Sequence, residues 1–301
     1  MPLPYQWQIR LERWKSLFTG MFGSGERRPQ LCPSCGALVG INANRCHECG
    51  ANLRFGLAAW SKGLAEFFGG HAPVTTVLLI ANVIMFAAEI MGTMHAGKME
   101  GLSILWGMDP ETTYRLGSSN INALALNEWY RLITAMFLHG GLIHIGFNMM
   151  VLLDLGPVVE ELFGSARYLF IYILTGAAGF ALSMFFHPAV GASGALMGLI
   201  GVLIAATGKR GSIESRALRS RLISWAVSVF LIGFFIHADN IAHFGGLATG
   251  FILGKIMVDR LPMNSSERNR AYALGWLAGV VTIASFVFMF VHYSDRLPWA
   301  R

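Results

Sequence analysis

Four polar side chains interrupt the long apolar runs of the chain and carry groups that can do chemistry. They are His144, Asn148, Ser193 and His243. A serine hydroxyl becomes a nucleophile when a base takes its proton, and histidine can do this near neutral pH. A second histidine and an amide can donate hydrogen bonds to an oxyanion, as can a backbone N–H. These residue types predict a hydrolytic site in which Ser193 attacks and His243 acts as the base.

The composition of the chain indicates that a membrane surrounds these residues. Of the 301 residues, 54% are hydrophobic and 13% are charged, whereas soluble domains carry about 25% charged residues. Seven apolar segments have the length or nearly the length of a membrane-spanning helix. They are approximately 74–94, 140–159, 167–187, 193–208, 222–237, 241–258 and 271–293. We therefore predict an all-α polytopic membrane protein, which excludes disordered, collagenous and disulfide-stapled classes.

The basic residues predict how the spans are oriented. Seven spans place the N-terminus and the loops after the second, fourth and sixth spans on one side, which carries 18 Lys and Arg residues against five on the other. Because basic residues accumulate on the inner side, the N-terminus is predicted to be cytoplasmic and the C-terminus external. The same bias explains the net charge of +6 without a nucleic-acid partner. The second, fourth and sixth spans then enter from outside, which puts the four polar residues at similar depth near the external surface.

Small residues beside the polar ones predict close helix packing. Gly191-Ala192-Ser193-Gly194 leaves the serine open to a substrate backbone. Glycines at four-residue spacing let two helices approach closely, and the sixth and fourth spans each carry such a pair. The helix-packing residues are Gly246, Gly250, Gly194 and Gly198. This packing would bring His243 to Ser193, and no acidic residue is placed as a third member.

A cysteine cluster precedes the spans. Cys32 and Cys35 form one C-x-x-C-G knuckle, and Cys46 and Cys49 form a second. Four thiolates can close a tetrahedral structural zinc site, so we predict a zinc ribbon with these ligands and with His47 outside the ligand set. Its role is left open among recognition of a substrate's cytoplasmic segment, recruitment of a cytoplasmic partner and stabilisation of the N-terminus.

Several motifs in a fixed order now give a resemblance to the rhomboid intramembrane serine proteases. The motifs are Trp129-Tyr130-Arg131, His139-Gly140-Gly141-x-x-His144-x-x-x-Asn148, Glu160 with Gly164, Gly191-Ala192-Ser193-Gly194, and Ala242-His243-x-Gly245-Gly246-x-x-x-Gly250. Two positions depart from the pattern. Where many relatives have a Trp-Arg pair in the first loop, this chain has Tyr130-Arg131 with Trp129 before it. Where some relatives have a tyrosine one turn after the nucleophile, this chain has Met197, which fills space but presents no ring face.

The resemblance implies a fold and an activity. It implies a six-helix core with a seventh helix appended, a Ser193/His243 dyad, and an oxyanion hole of His144, Asn148 and the N–H of Ser193. It also implies cleavage of single-pass transmembrane substrates within or next to their membrane helix, with no cofactor for catalysis. Lateral entry of the substrate beside the fifth span is implied by the family alone.

The predicted spans, the cysteine cluster and the rhomboid resemblance divide the chain into segments. We predict an N-terminal cytoplasmic segment at 1–30, the zinc ribbon at 31–51, a linker at 52–73, the catalytic core at 74–260, and a seventh helix with an external tail at 261–301. Compact loops and the lack of a transit peptide favour a bacterial plasma membrane. Two alternatives stay open: a catalytically silent rhomboid-like protein that binds client membrane proteins, and a transporter with a zinc sensor.

Overall fold

A computed structural model describes residues 30–32, 37–40, 43–49, 72–99, 101–121 and 126–293. Nine α-helices lie in these ranges: α1 Pro73–His95, α2 Pro110–Arg115, α3 Arg131–Thr134, α4 Leu142–Phe163, α5 Ser165–Ser183, α6 Ser193–Gly208, α7 Ile213–Phe235, α8 Asn240–Ile256 and α9 Ser265–His292. Two short 3-10 helices, Ser103–Leu105 and Ala135–Phe137, lie in the long loop between α1 and α4.

The long helices form a membrane-spanning bundle. Five of them, α1, α4, α5, α7 and α9, are long and apolar enough to cross a membrane. The prediction of an all-α polytopic membrane protein is thereby confirmed. The fourth and sixth predicted spans are shorter, with 16 residues in α6 and 17 in α8. α6 is buried along almost its whole length inside the bundle, whereas α8 packs along it and keeps Phe244, Ile252 and Ile256 exposed.

Four helix boundaries lie four or more residues from the predicted spans: the end of α4 at Phe163, the end of α5 at Ser183, the start of α7 at Ile213 and the start of α9 at Ser265. α7 begins at Ile213 rather than near 222, because the Ser212 side chain caps its first turn by accepting a hydrogen bond from the N–H of Ser215. The first turns of α7 are polar, so an apolar run does not detect them. α5 ends at Ser183 rather than near 187, where the chain turns back toward α6.

Helix α6 is the centre of the bundle, and α8 packs along it. All but the first and last residues of α6 are buried. A Cβ added at Gly246 of α8 would lie 2.8 Å from the carbonyl carbon of Gly194, and one at Gly250 would lie 2.7 Å from that of Gly198. Both distances are shorter than real Cβ contacts. The two backbones are therefore in direct contact, as the four-residue glycine spacing predicts.

A buried carboxylate joins α4 to α1 at the end of the bundle opposite Ser193. Glu160 accepts hydrogen bonds from the N–H of Val74, at 2.9 Å, and from the N–H and hydroxyl of Thr75, both at 2.9 Å. It also accepts from the Ser165 hydroxyl at 2.7 Å. This negative group therefore satisfies the free N–H groups of the first turn of α1.

The long loop between α1 and α4 is held by two buried polar residues. Arg131 is 0% exposed; it pairs with Glu128 and donates to the carbonyls of Tyr114, at 2.6 Å, and Ser118, at 3.1 Å. Asp109 caps α2 by accepting from the N–H of Thr112 at 2.9 Å. Burial raises the pKa of Asp109, but the hydrogen bonds from Lys98 and Thr112 outweigh it and the pKa lies below its ordinary value.

The described part of the N-terminal region contains a small hairpin. Strands β1, Gln30–Leu31, and β2, Leu38–Val39, pair antiparallel, with Gln30 opposite Val39. The N–H of Cys32 donates to the carbonyl of Ala37 at 2.7 Å, which closes the hairpin. Cys32 therefore follows directly from a strand and is held at its end.

Candidate active site

Ser193 is the first residue of α6, and the long loop fixes the segment that precedes it. Ser119 and Ala189 exchange two backbone hydrogen bonds, of 3.0 and 2.9 Å. The N–H of Gly191 donates to the carbonyl of Ala135 at 2.9 Å. Gly191 has a φ of 126°, a conformation that favours glycine. The position of the serine is thus set by contacts with residues far away in sequence.

The side chain of His243 reaches Ser193 from the first turn of α8. Its Nε2 lies 2.8 Å from the serine Oγ. Asp239 caps α8, since its Oδ1 accepts from the N–H of Ala242 at 2.8 Å. His243 is 3% exposed, whereas Ser193 is partly exposed. The geometry suits transfer of the serine proton to the imidazole.

Two residues that sequence reasoning missed hold the His243 ring. The Nδ1 of His243 lies 3.3 Å from Oδ1 of Asn240, and the Nδ2 of Asn240 donates to the carbonyl of Phe230 in α7 at 3.1 Å. The Phe230 ring packs edge-on against the imidazole, with centroids 6.2 Å apart. Met197 cannot present an aromatic ring to His243, and Phe230 of α7 provides this ring contact instead. An asparagine three residues before a histidine on one helix is a spacing signal that could have found Asn240.

His144 and Asn148 lie on the face of α4 that meets the segment before Ser193. A Cβ added at Gly191 would lie 2.8 Å from Nε2 of His144 and 3.7 Å from Nδ2 of Asn148. The Asn148 Nδ2 is buried and has no hydrogen-bond partner among the described residues. A buried donor without a partner costs free energy. Such a donor is available to an oxygen that arrives with a substrate.

Three of the four predicted zinc ligands lie together in the N-terminal region. The ligand atoms of Cys32, Cys46 and Cys49 are all within 4.8 Å of one another, and the sulfurs of Cys32 and Cys49 are 3.7 Å apart. Zinc–sulfur bonds of about 2.3 Å in a tetrahedron give sulfur–sulfur distances of about 3.8 Å. The three cysteines therefore fit a metal ion, while Cys35 lies outside the described residues.

Comparison with known proteins gives the family. Residues 126–260, which include all four polar residues of the site, match the Rhomboid domain model. The chain is also 33% identical over 193 residues to the rhomboid-type protein YdcA of Bacillus subtilis, a match that covers 62% of this chain and 90% of that protein. The chain belongs to the rhomboid family. The rhomboid resemblance predicted from the motifs is confirmed.

Other rhomboid relatives are longer than the matched region. The chain is 33% identical over 197 residues to the rhomboid protease GluP of Bacillus subtilis, covering 62% of this chain and 35% of that protein. It is 42% identical over 138 residues to the mitochondrial RHOMBOID-like protein 6 of Arabidopsis thaliana, covering 44% of this chain and 45% of that protein. The chain thus spans less than half the length of these two relatives.

Proposed function

We propose that this rhomboid-family protein is a serine endopeptidase that cleaves transmembrane proteins within or next to their membrane helix. The observation that carries the proposal is the 2.8 Å contact between Ser193 Oγ and His243 Nε2. The similarity of the chain to the rhomboid protease GluP of Bacillus subtilis supports the same activity. The Ser193/His243 dyad is the catalytic unit, and His144, Asn148 and the N–H of Ser193 form the oxyanion hole.

The reaction proceeds in two acyl-transfer steps. His243 Nε2 takes the hydroxyl proton as Ser193 Oγ attacks the scissile carbonyl, and the oxyanion accepts hydrogen bonds from the hole. The protonated imidazole then gives its proton to the departing amine, which leaves an ester on Ser193. Water attacks this ester, His243 takes a proton from the water, and the carboxylic acid leaves while the proton returns to Ser193. These residues suffice without a cofactor.

Asn240 supports this sequence of proton transfers. With Oδ1 of Asn240 as acceptor at Nδ1, the neutral His243 ring carries its proton on Nδ1 and keeps Nε2 free for the serine proton. Asn240 thereby performs the orienting role for which no acidic residue was found. We assign it as a positioning residue, because it acts through His243.

The charge distribution supports the proposed orientation. The side of the predicted topology that includes the N-terminus carries 18 of the 23 basic residues, which supports a cytoplasmic N-terminus and an active site that opens to the external side. A bacterial plasma membrane is the proposed location. Single-pass transmembrane proteins in the same bilayer are the proposed substrates, and substrate entry beside α7 is an expectation carried over from the family.

The N-terminal region is proposed to hold one structural zinc ion. Cys32, Cys46 and Cys49 provide three thiolates at suitable distances, and Cys35 is the proposed fourth ligand. A site closed by four cysteines leaves no open position for catalysis. The proposed division of the chain is the segment 1–30, the ribbon 31–51, the linker 52–73, the core 74–260 and the seventh helix with its tail, 261–301. The ribbon is a candidate docking site for a cytoplasmic partner.

The activity is tested with the full chain purified in detergent. The wild type should react with a fluorophosphonate probe and cleave a model transmembrane substrate, and Ser193→Ala and His243→Ala should do neither. Ser285→Ala is the matched control, because it removes a buried hydroxyl that donates to the Val281 carbonyl within its own helix; it should keep full activity. A folded wild type that neither reacts nor cleaves would favour the silent, client-binding alternative.

A further inference from the structure

A buried acidic residue in α1 has no part in the reaction described above. Glu89 is 0% exposed, although α1 is an apolar membrane-spanning helix. Its Oε2 accepts a hydrogen bond of 2.8 Å from the backbone N–H of His139, 50 residues away in sequence. Its Oε1 is buried without a hydrogen-bond partner among the described residues. An acidic residue at such a position is costly, so a functional explanation is called for.

The peptide that Glu89 holds is adjacent to the oxyanion histidine. The next residue, Gly140, donates its N–H to Nδ1 of His144 at 3.2 Å. The His139 ring packs edge-on against the His144 ring, with centroids 5.1 Å apart. The carboxyl group of Glu89 and the ring of His144 are therefore connected through two consecutive backbone N–H groups.

The hydrogen bond from Gly140 decides which nitrogen of His144 carries the proton. An N–H that donates to Nδ1 requires a bare nitrogen there, so the neutral ring carries its proton on Nε2. The Cε1–Nε2 edge of the ring faces the segment before Ser193, since a Cβ at Gly191 would lie 2.8 Å from both atoms, so Nε2 is the nitrogen on that side. In this tautomer His144 is a donor toward the oxyanion; in the other tautomer the same atom would be an acceptor.

We propose that Glu89 is a positioning residue of the oxyanion hole. It anchors the His139 peptide so that the Gly140 N–H points at Nδ1 of His144 and keeps the Nε2 proton in the hole. This inference rests on the proposed proteolytic function. Glu89 does not touch the substrate, and its effect on the reaction is exerted through His144.

The test compares two substitutions of Glu89 in the full chain. Glu89→Leu removes the acceptor, and because loss of one oxyanion donor costs about 10²–10³ in kcat, we expect a decrease of about 10- to 100-fold. KM for a transmembrane substrate should stay within about twofold, since the hole acts on the transition state. Glu89→Gln retains an oxygen acceptor and should keep kcat within about threefold of the wild type.

A reversible peptide aldehyde separates an oxyanion effect from a general loss of structure. The aldehyde adds to Ser193 and places a tetrahedral oxygen in the hole, so its inhibition constant should rise with Glu89→Leu by about the factor that kcat falls. Thr93→Val is the matched control on the same helix. It removes the hydroxyl that accepts a buried hydrogen bond of 3.2 Å from the N–H of Asp109. Asp109 belongs to the same long loop as Gly140 but lies away from it. The substitution should lower thermal stability and leave kcat and aldehyde inhibition unchanged.

The outcomes distinguish this inference from the proposed function. If the wild type cleaves and Glu89→Leu cleaves equally well, the proposed role of Glu89 is refuted and the proposed proteolytic function is retained. An equal loss of kcat in Thr93→Val would also overturn the role, because the effect would then be general. If the wild type and Ser193→Ala are both inactive, the proposed function fails and the role of Glu89 fails with it.

A spectroscopic measurement keeps the inference testable if Glu89→Leu does not fold. In wild-type protein labelled with 15N-histidine at neutral pH, His144 should show a bare Nδ1 and a protonated Nε2. The His144→Asn variant identifies the resonances. A proton on Nδ1 of His144 would contradict the proposed arrangement without any Glu89 variant.

Discussion

Substitution of Gly246 by alanine tests whether the contact between α6 and α8 sets the catalytic distance. Gly246 lies one turn after His243 and opposite Gly194, the residue after Ser193. The new Cβ would overlap the carbonyl oxygen of Gly194 and lie 2.8 Å from its carbonyl carbon, while ordinary contact begins at 3.4 Å, so the helices must separate by more than about 0.6 Å. The Oγ–Nε2 distance of 2.8 Å would then approach the limit of a hydrogen bond.

The expected effect on the reaction is large compared with the effect on folding. A misplacement of about 1 Å can cost about 10²-fold in rate, so we expect kcat to fall by about 10- to 100-fold in Gly246→Ala. Overpacking of this kind costs about 1–3 kcal/mol, and the protein should still fold. The assay is cleavage of a transmembrane substrate, with fluorophosphonate labelling as a second measure of Ser193 reactivity.

The matched control is Gly279→Ala in α9. A Cβ there meets no described atom within 4 Å, and alanine favours a helix over glycine by about 1 kcal/mol. Activity should be unchanged in this variant. A folded Gly246→Ala protein with kcat within about twofold of the wild type would refute the reasoning, because the helix spacing would then not control the dyad.

Three further predictions concern residues around the site and in the long loop. Asn240→Ala should lower the rate of fluorophosphonate labelling by about tenfold, whereas Asn240→Asp, which keeps an acceptor for His243, should retain more of it; equal losses would contradict the orienting role. Arg131→Ala removes a buried ion pair with Glu128 and two buried hydrogen bonds to loop carbonyls, and it should destabilise the protein by about 3–5 kcal/mol in a denaturant titration; an unchanged midpoint would exclude this. Because the folded pKa of Asp109 is lowered, its charge stabilises the protein above the ordinary aspartate pKa of about 3.9. The Tm advantage of the wild type over Asp109→Asn should therefore be constant near neutral pH and start to decrease as the pH falls below about 4, and an advantage that does not decrease in that range would be inconsistent with it.

Local patterns in the sequence were sufficient to predict the seven long helices, although not all of their ends, and did not predict the short helices α2 and α3. The run at 193–208 coincides with α6, because an interior helix is apolar on all sides and a small-residue turn marks its start. The start of α7 was missed because its first turns are basic and exposed, although the Ser212 cap is a local signal that was available in the sequence. Apolar length thus detects the part of a helix that lies in lipid and does not detect its polar extension.

Local spacing also predicted groups of residues that lie on one face or in one turn. His144 and Asn148 are four residues apart, which places both on the same side of α4. The cysteine knuckles predict a metal site by their spacing, and the described cysteines fit one. Such inferences are possible because a helix or a tight turn fixes the relative positions of residues that are near in the chain.

The sequence by itself determined the family, the membrane-spanning class, the candidate nucleophile and base, and the zinc-ligand spacing. Only the tertiary structure decided the partners of these groups. It brought Glu89 to the His139 peptide, and it brought the Phe230 ring and Asn240 to His243. Contacts between different helices depend on how each helix is rotated about its own axis and on which glycines let two backbones meet. Neither is encoded in the local spacing of residues along the chain. The residues that orient the site are therefore set by packing, whereas those proposed to react are recognisable from their types and spacing.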